Sequence, residues 1–403
     1  MAVALQAPGH LAPVRGIRLA ARAAGIRYRD REDLVLIDAG PDAAIAALFT
    51  RNAFCAAPVH VAREHLAAGS PRWLLVNAGN ANAGTGTAGL AASRATCADL
   101  GRILGVPAQS VLPFSTGVIG EPLPVERIAA ALPALAEGLD ADGWLAAARA
   151  IMTTDTVPKG ASRTIALSGG TVTLTGIAKG SGMIHPDMAT MLAFIGTDAG
   201  LDADLLRQLL TEAVTHSFNA ITVDGDTSTN DAVACIASGA SGVTVSSGPD
   251  LERIAAALNA VCLELAEAIV RDGEGATKFV RVTVQTARDR NEARRVAEVV
   301  ALSPLVKTAL FASDPNWGRI LAAVGRAGVR DLRIEDVGIA VNGVRIVAAG
   351  GRAPGYTEEA GQQAFGAAEL DIVIDLARGG AGYRKYTCDF SYDYVRINAD
   401  YRS

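Results

Sequence analysis

A chain of 403 residues exceeds the size at which one hydrophobic core usually stops growing, about 250–300 residues, so two or three domains are expected. Half of the residues are hydrophobic and the formal charge is -5, which excludes a disordered composition and leaves no basic footprint for nucleic acid or an anionic membrane. No apolar run reaches about 18 residues, and five scattered cysteines without a CxxC pair favour free thiols over a disulfide framework or a zinc site; a cytoplasmic protein is expected.

Residues 1–30 are rich in Pro, Ala, Gly and Arg and read as irregular; Gln6, Pro8, Gly9 and Pro13 leave no secretory apolar core. Asp33–Asp38 reads as a buried strand, whereas Ala43–Phe49 is too short an apolar run to separate helix from strand. Arg72–Asn77 is a clearer strand, followed by a glycine- and asparagine-rich loop and helical spacing through Leu90, Leu100, Ile103 and Leu104. Ser110–Phe114 returns as a strand that opens into Ser115-Thr116-Gly117. Helices are expected over Pro124–Leu135 and Gly143–Ile151. Arg163–Leu167 and Thr171–Ile177 flank Ser168-Gly169-Gly170, a hairpin signal, and deliver the chain to Lys179.

Two further helices follow, through Leu205–Val214 and Leu251–Ile269, the second stopped at Gly273. The polar run Ala287–Arg295 marks the expected domain boundary, giving a main sandwich over residues 1–286 and a smaller C-terminal domain over 287–403. Beyond it, Asn342-Gly343 between alternating segments is a hairpin, and Leu370–Leu376 alternates as a half-buried strand. The mixture says α/β or α+β, without the βαβ rhythm of a doubly wound sheet.

Several stretches carry chemical signals. Gly84–Gly89 fits GxGxxG, but its loop is loose and the next strand ends in Ser115-Thr116 without an acid for a ribose hydroxyl. Asp224–Asp231 fails as an EF-hand, because Thr229 and Cys235 stand where Gly and Glu are required; a hydrogen-bonded turn remains. No histidine has an HxxxH or HExxH companion, so metal catalysis is not expected. Ser115-Thr116-Gly117 is either an ordinary turn or a place where a hydroxyl and a backbone N–H meet a developing oxyanion. Arg271–Gly275 is either a charged helix end or a carboxylate on flexible backbone facing a cation.

Thr190 stands between a glycine-rich lead-in and the apolar run Met191–Ile195. If the peptide bond before it were cut, its α-amine, with a pKa of about 7.7–8.0, would lie beside its own hydroxyl as a built-in base. A threonine entering a strand is also ordinary, and one hydroxyl defines no site.

Taken together, Phe49–Val59, Asn77–Gly86, Ser115–Gly120, Ile151–Lys159, Ile177–Leu192, Ile221–Asp231, Val270–Val280, Ser303–Gly325 and Ile397–Ser403 resemble, nearly end to end, the ornithine acetyltransferase family of arginine biosynthesis. The resemblance implies a layered α/β sandwich of the N-terminal-nucleophile-like aminopeptidase/ornithine acetyltransferase type, with a smaller C-terminal α/β domain. It implies self-cleavage between Ala189 and Thr190, giving an α chain, 1–189, and a β chain, 190–403, assembled as α2β2. Thr190 would carry acetyl from N-acetyl-ornithine to glutamate in a ping-pong cycle, with Thr116 and Gly117 as the oxyanion hole. Lys179, Glu274, Asn398, Ser403 and one of Thr153 and Thr154 match substrate-contacting positions. No cofactor is implied; acetyl-CoA as a co-substrate is left open. An N-terminal-nucleophile amidase or aminopeptidase using water is the alternative enzyme, and a dinucleotide-binding or non-enzymatic scaffold protein using the Gly84–Gly89 loop the alternative of another class.

Some residues depart from the pattern of the family. Ala78 stands where serine is common, Gly84 where cysteine is, Asp187 where asparagine is, and Ser403 where threonine is; Gly196 replaces a bulkier residue. None removes a catalytic group, and Asp187 adds a charge beside the scissile bond.

Overall fold

The computed structural model describes residues 2–69, 71–185 and 191–400. The chain divides into two compact units. The larger comprises Ala7–Asn219 and Asp226–Ile269; the smaller comprises the described residues 2–6, 220–225 and 270–400.

The larger unit begins with β1 (Arg18–Arg22), β2 (Leu34–Asp38), β3 (Ala44–Phe49), α1 (Ala57–Ala68) and β4 (Trp73–Asn80). There follow α2 (Gly86–Leu104), β5 (Val111–Val118), α3 (Val125–Glu137), α4 (Trp144–Ala150), β6 (Lys159–Leu167) and β7 (Gly170–Lys179). Then come β8 (Leu192–Thr197), α5 (Ala203–His216), β9 (Ala232–Ala237) and α6 (Gly248–Arg271). The strands form two sheets, ordered β1-β2-β4-β5 and β3-β9-β8-β7-β6.

The two-residue period of the strands explains the layering. In β2, β4 and β5 the side chains of Val35, Ile37, Leu74, Val76, Leu112 and Phe114 enter a shared core with Ile177, Leu192, Phe194, Ala234 and Ile236 of the other sheet. Their neighbours Leu34, Leu36, Leu75 and Val111 turn the opposite way, onto Cys97 and Leu100 of α2 and Ile128 and Leu132 of α3. On the outer face of the second sheet α6 lies so close that a Cβ on Gly176 would fall 3.0 Å from Val261 and Leu265. The unit is therefore helix, sheet, sheet, helix: the layered α/β sandwich that was expected.

Some elements differ from the sequence reading. Arg18–Arg22, expected to be irregular, is an edge strand whose buried Leu19, Ala20 and Ala21 sit between two exposed arginines, too few residues for a period to be read. Ala44–Phe49 is a strand because pairing with β9 decides what its short apolar run could not. The hairpin turns at Ser168-Gly169, with Leu167 opposite Gly170, and its strands run farther than expected, to Lys159 and Lys179.

The smaller unit contains β10 (Phe279–Ala287), α7 (Arg290–Ala301), α8 (Pro304–Phe311), α9 (Trp317–Gly325), β11 (Gly338–Val341) and β12 (Val344–Ala348). It continues with β13 (Gly351–Arg352), α10 (Glu358–Gly366), β14 (Glu369–Asp375), β15 (Ala381–Cys388) and α11 (Tyr392–Ala399). Its sheet is ordered β13-β12-β11-β14-β10-β15. One face packs Val280, Val282, Ile339 and Ile372 against Val296 and Val300 of α7 and Ile320 of α9. Asn342 and Gly343 both have positive φ, 46° and 81°, as the predicted β11–β12 hairpin requires. The run Ala287–Arg295 forms the end of β10 and the first turns of α7. Among the described residues no helix is long and apolar enough to cross a membrane.

Candidate active site

Thr116 and Gly117 lie near the C-terminal end of β5, and the sheet holds them by a deliberate irregularity. The β4–β5 register slips at Gly79 and Asn80, so that Asn80 faces both Thr116 and Val118. Such slips bend a strand and re-aim its groups. Gly117 has φ 131°, and a Cβ there would lie 2.2 Å from the carbonyl carbon of Gly79. Only glycine fits.

Buried amides brace the backbone on either side. Ser115 Oγ donates to Asn77 Oδ1 at 2.5 Å, and Asn77 Nδ2 donates to the Asn80 carbonyl at 2.8 Å. Asn230 Nδ2 donates to the carbonyls of Ala81 and Ser115 at 2.6 and 2.9 Å. The asparagine-rich loop is thus a scaffold for β5. Its GxGxxG turn folds back on itself, since Asn82 Nδ2 donates to the Gly89 carbonyl and a Cβ on Gly89 would lie 1.8 Å from Thr85 Oγ1. Close packing accounts for that glycine without a phosphate.

Lys179 is the last residue of β7 and faces Leu192, the first residue of β8. Its Nζ donates to Thr116 Oγ1 at 3.2 Å, joining the ends of the two sheets; each residue is only 8% exposed. Two residues inward on each strand, the rings of Phe114 and Phe194 meet edge to face at 5.2 Å. Such a contact contributes about 0.5–1.5 kcal/mol beyond area burial and fixes the spacing of the two strand ends. A cavity of about 30 Å³ lies here, lined by Thr116, Lys179, Met191, Ser228, Asn230 and Asp231 among others. It has room for a water-sized group.

Thr153 and Thr154 are both half-buried in the loop after α4. The loop is held by Asp155, whose Oδ2 accepts from the Thr153 N–H at 2.9 Å and whose Oδ1 accepts from Lys159 Nζ at 2.6 Å and the Gly180 N–H at 2.7 Å. Burial by itself would raise the Asp155 carboxyl, but the ammonium groups of Lys159 and Lys179 hold it well below the usual carboxylate range. The side chains of Asp155 and Lys159 are both fully buried. Removing one partner of such a pair costs about 3–5 kcal/mol, because a buried charge is left behind.

Glu274 and Asn398 belong to the smaller unit and meet there: Asn398 Nδ2 donates to Glu274 Oε2 at 2.9 Å. Glu274 is buried on the short turn after α6, and Asn398 lies on α11. Ser391 caps α11 by accepting from the Tyr394 N–H, and its Oγ donates to the Gly275 carbonyl at 2.6 Å. Gly275 has φ 69°, and a Cβ there would lie 2.4 Å from the Tyr394 nitrogen. The turn and the helix are locked by that close approach.

Ala189, Thr190 and Ser403 lie outside the described residues. Of the other predicted residues, Thr116, Gly117 and Lys179 come together, as do Glu274 and Asn398. Asp155 was not singled out from sequence, and Asp231 only as the end of the Asp224–Asp231 stretch; the one usable signal for Asp155 was its charge opposite to that of Lys159 at a separation of four. All five cysteines are free thiols. Among the described residues no group of three or more His, Cys, Asp or Glu is arranged to hold a metal.

Residues 18–403 match the family model described as the ArgJ family. The chain is 58% identical to an arginine biosynthesis bifunctional protein ArgJ of Methylococcus capsulatus over 98% of its own length and 97% of the relative's. It is 54% identical to the protein of that name from Psychrobacter arcticus, over 98% of both. A solved structure of the bifunctional protein argJ of Bacillus halodurans is 40% identical, with a TM-score of 0.48 over 50% of this chain and 95% of that one. An ornithine acetyltransferase of Mycobacterium tuberculosis, complexed with ornithine, is 39% identical, with a TM-score of 0.41 over 44% of this chain and 94% of that one. With more than half of its residues identical to relatives along nearly their whole length, the chain belongs to the ArgJ family.

Proposed function

We propose that the chain moves the acetyl group of N-acetyl-ornithine to glutamate through an acetyl ester on Thr190, after cutting itself between Ala189 and Thr190. Membership of the family makes the chain a glutamate N-acetyltransferase of arginine biosynthesis. The proposal adds the nucleophile, the route and the assembly.

The observation that carries it is the Lys179–Thr116 hydrogen bond at the sheet end where β8 begins. The Ala232 N–H donates to the Met191 carbonyl at 2.9 Å, so the chain that follows Thr190 is already sheet-bound where it lines the cavity. In the proposed cycle Thr190 Oγ attacks the acetyl carbonyl and its proton passes to the freed α-amine. Thr116 and Gly117 stabilise the tetrahedral oxyanion. The C–N bond breaks, and ornithine leaves with the proton on its nitrogen. The amine of glutamate then attacks the ester, and Thr190 Oγ regains its proton. One amide is exchanged for another, so the cycle needs no external energy and no cofactor. Acetyl-CoA, as a second donor, would enter at the same ester.

Lys179 suits a substrate carboxylate and Glu274 the side-chain ammonium of ornithine. Asn398, Ser403 and a threonine of Thr153-Thr154 complete the proposed contacts. Scission at residue 189 would leave β8 of one chain paired with β7 of the other, and β9 with β3, which supports chains that stay together. The assembly proposed is α2β2.

The test joins intact-mass measurement of active protein to transfer of labelled acetyl from N-acetyl-ornithine. Two fragments divided at 189/190 and labelled N-acetyl-glutamate are expected. An active but uncut polypeptide would overturn the nucleophile, and release of free acetate alone would favour an amidase.

A further inference from the structure

We propose that Asp155 is the positioning residue of this site, fixing Lys179 and the Thr153-Thr154 turn about one buried carboxylate. The inference rests on reading Lys179 and that turn as substrate contacts. A carboxylate offers about four acceptor positions, and Asp155 commits its oxygens to three donors from three segments: Lys159 Nζ of β6, the Gly180 N–H just past β7, and the Thr153 N–H of its own loop. A purely structural ion pair would need Lys159 alone. The bond to Gly180 acts on the peptide that directly follows Lys179. Gly180 has φ 153°, and a Cβ there would lie 3.0 Å from Ile184, so the peptide after the lysine is closely packed and has little room for a side chain. Asp155 therefore sets where Lys179 leaves the sheet and where Thr153 stands.

Charge points the same way. Among the described residues the Asp155 carboxylate, from the loop after α4, interacts with the ammonium groups of both Lys179 and Lys159 of β6, and Asp231 lines the same cavity as Lys179 from the segment before β9. The attraction between the Asp155 carboxylate and the Lys179 ammonium helps hold the Asp155 carboxyl low.

The test compares wild type with Asp155→Asn, Asp155→Glu and the double variant Asp155→Asn/Lys159→Met, each in its processed form. The double variant removes the lysine that the single change leaves stranded, so the fold is retained. In it we expect KM for N-acetyl-ornithine and glutamate to rise about 10–100-fold, with a smaller change in kcat. The basic limb of kcat/KM should move to lower pH by about one unit or more, as Lys179 loses its carboxylate. Asp155→Glu keeps the charge and displaces it, so it should raise KM while leaving the basic limb in place. A folded double variant with wild-type KM values and pH profile overturns the proposal, as do equal pH shifts in the Asn and Glu variants. Wild-type protein that transfers no acetyl in the same assay overturns the acetyl-transfer reading instead.

Discussion

The two constellations are built in contrasting ways. Thr116 and Lys179 close the ends of two stacked sheets, with Phe114 on Phe194 behind them and buried asparagines bracing the backbone. Glu274 and Asn398 join a glycine-flanked turn to α11, a helix whose Tyr392 is 83% and Val395 65% exposed. That helix is held by its Ser391 cap and by Phe390 stacked on Tyr394 at 4.8 Å. Groups that meet a transition state gain from rigid placement, whereas recognition of a flexible amino-acid side chain tolerates adjustment. A change at Thr116, in the first set, should therefore fall on kcat, and changes at the substrate contacts, Lys179 as well as the second set, on KM.

The largest break would come from the proposed nucleophile. Thr190→Ala is expected to abolish both scission and transfer, while Thr190→Ser keeps part of each; normal turnover by the alanine variant would dismiss the residue. Next comes the oxyanion side. Thr116→Ala should lower kcat by roughly 10²–10³-fold with a small change in KM, if its hydroxyl meets the oxyanion. Steady-state kinetics on processed protein decide, and an unchanged kcat would break the contrast between the two regions at its firmer end.

The sequence revealed these regions unequally, for physical reasons. The Asn342-Gly343 hairpin was legible because two consecutive positive φ values demand those residue types. Arg18–Arg22 was not, because a five-residue edge strand owes its form to pairing with β2 and not to its own pattern. Thr116, Lys179 and Glu274 were found through motif blocks; their pairing across sheets was invisible, since Thr116 and Lys179 stand far apart along the chain. Asp155 lay inside one of those blocks and passed unremarked, as a lone aspartate in a polar loop reads as solvated until three donors are seen around it.

A more moderate effect would sharpen the contrast from its softer end. Glu274→Ala should raise KM for N-acetyl-ornithine about 10–100-fold, the worth of a charge-assisted hydrogen bond, and change kcat little. Glutamate has no side-chain ammonium, so its KM should move less. Comparable rises for both substrates would mean that Glu274 shapes the turn and does not pair with ornithine.

The smallest expected effect separates the two units by pH. In the larger unit the Asp155 carboxyl, which burial alone would raise, is held low by Lys159 and Lys179. The unfolded chain then takes up the proton first, so this contribution is present above about pH 4 and is lost as acid passes through the depressed value. In the smaller unit burial pushes the Cys388 thiol up to about 11 although Lys307 beside it pulls the other way. Here the unfolded chain releases the proton first, so stability is fully present below about pH 8.5 and is lost as pH rises toward 11, by at most about 1.4 kcal/mol per pH unit. Denaturant unfolding of wild type and Cys388→Ala at pH 8 and 10 reads the difference. The gap between them should narrow at pH 10. A constant Cys388→Ala gap would mean that the thiol ionises equally in both states, and that alkali does not distinguish the smaller unit in this way.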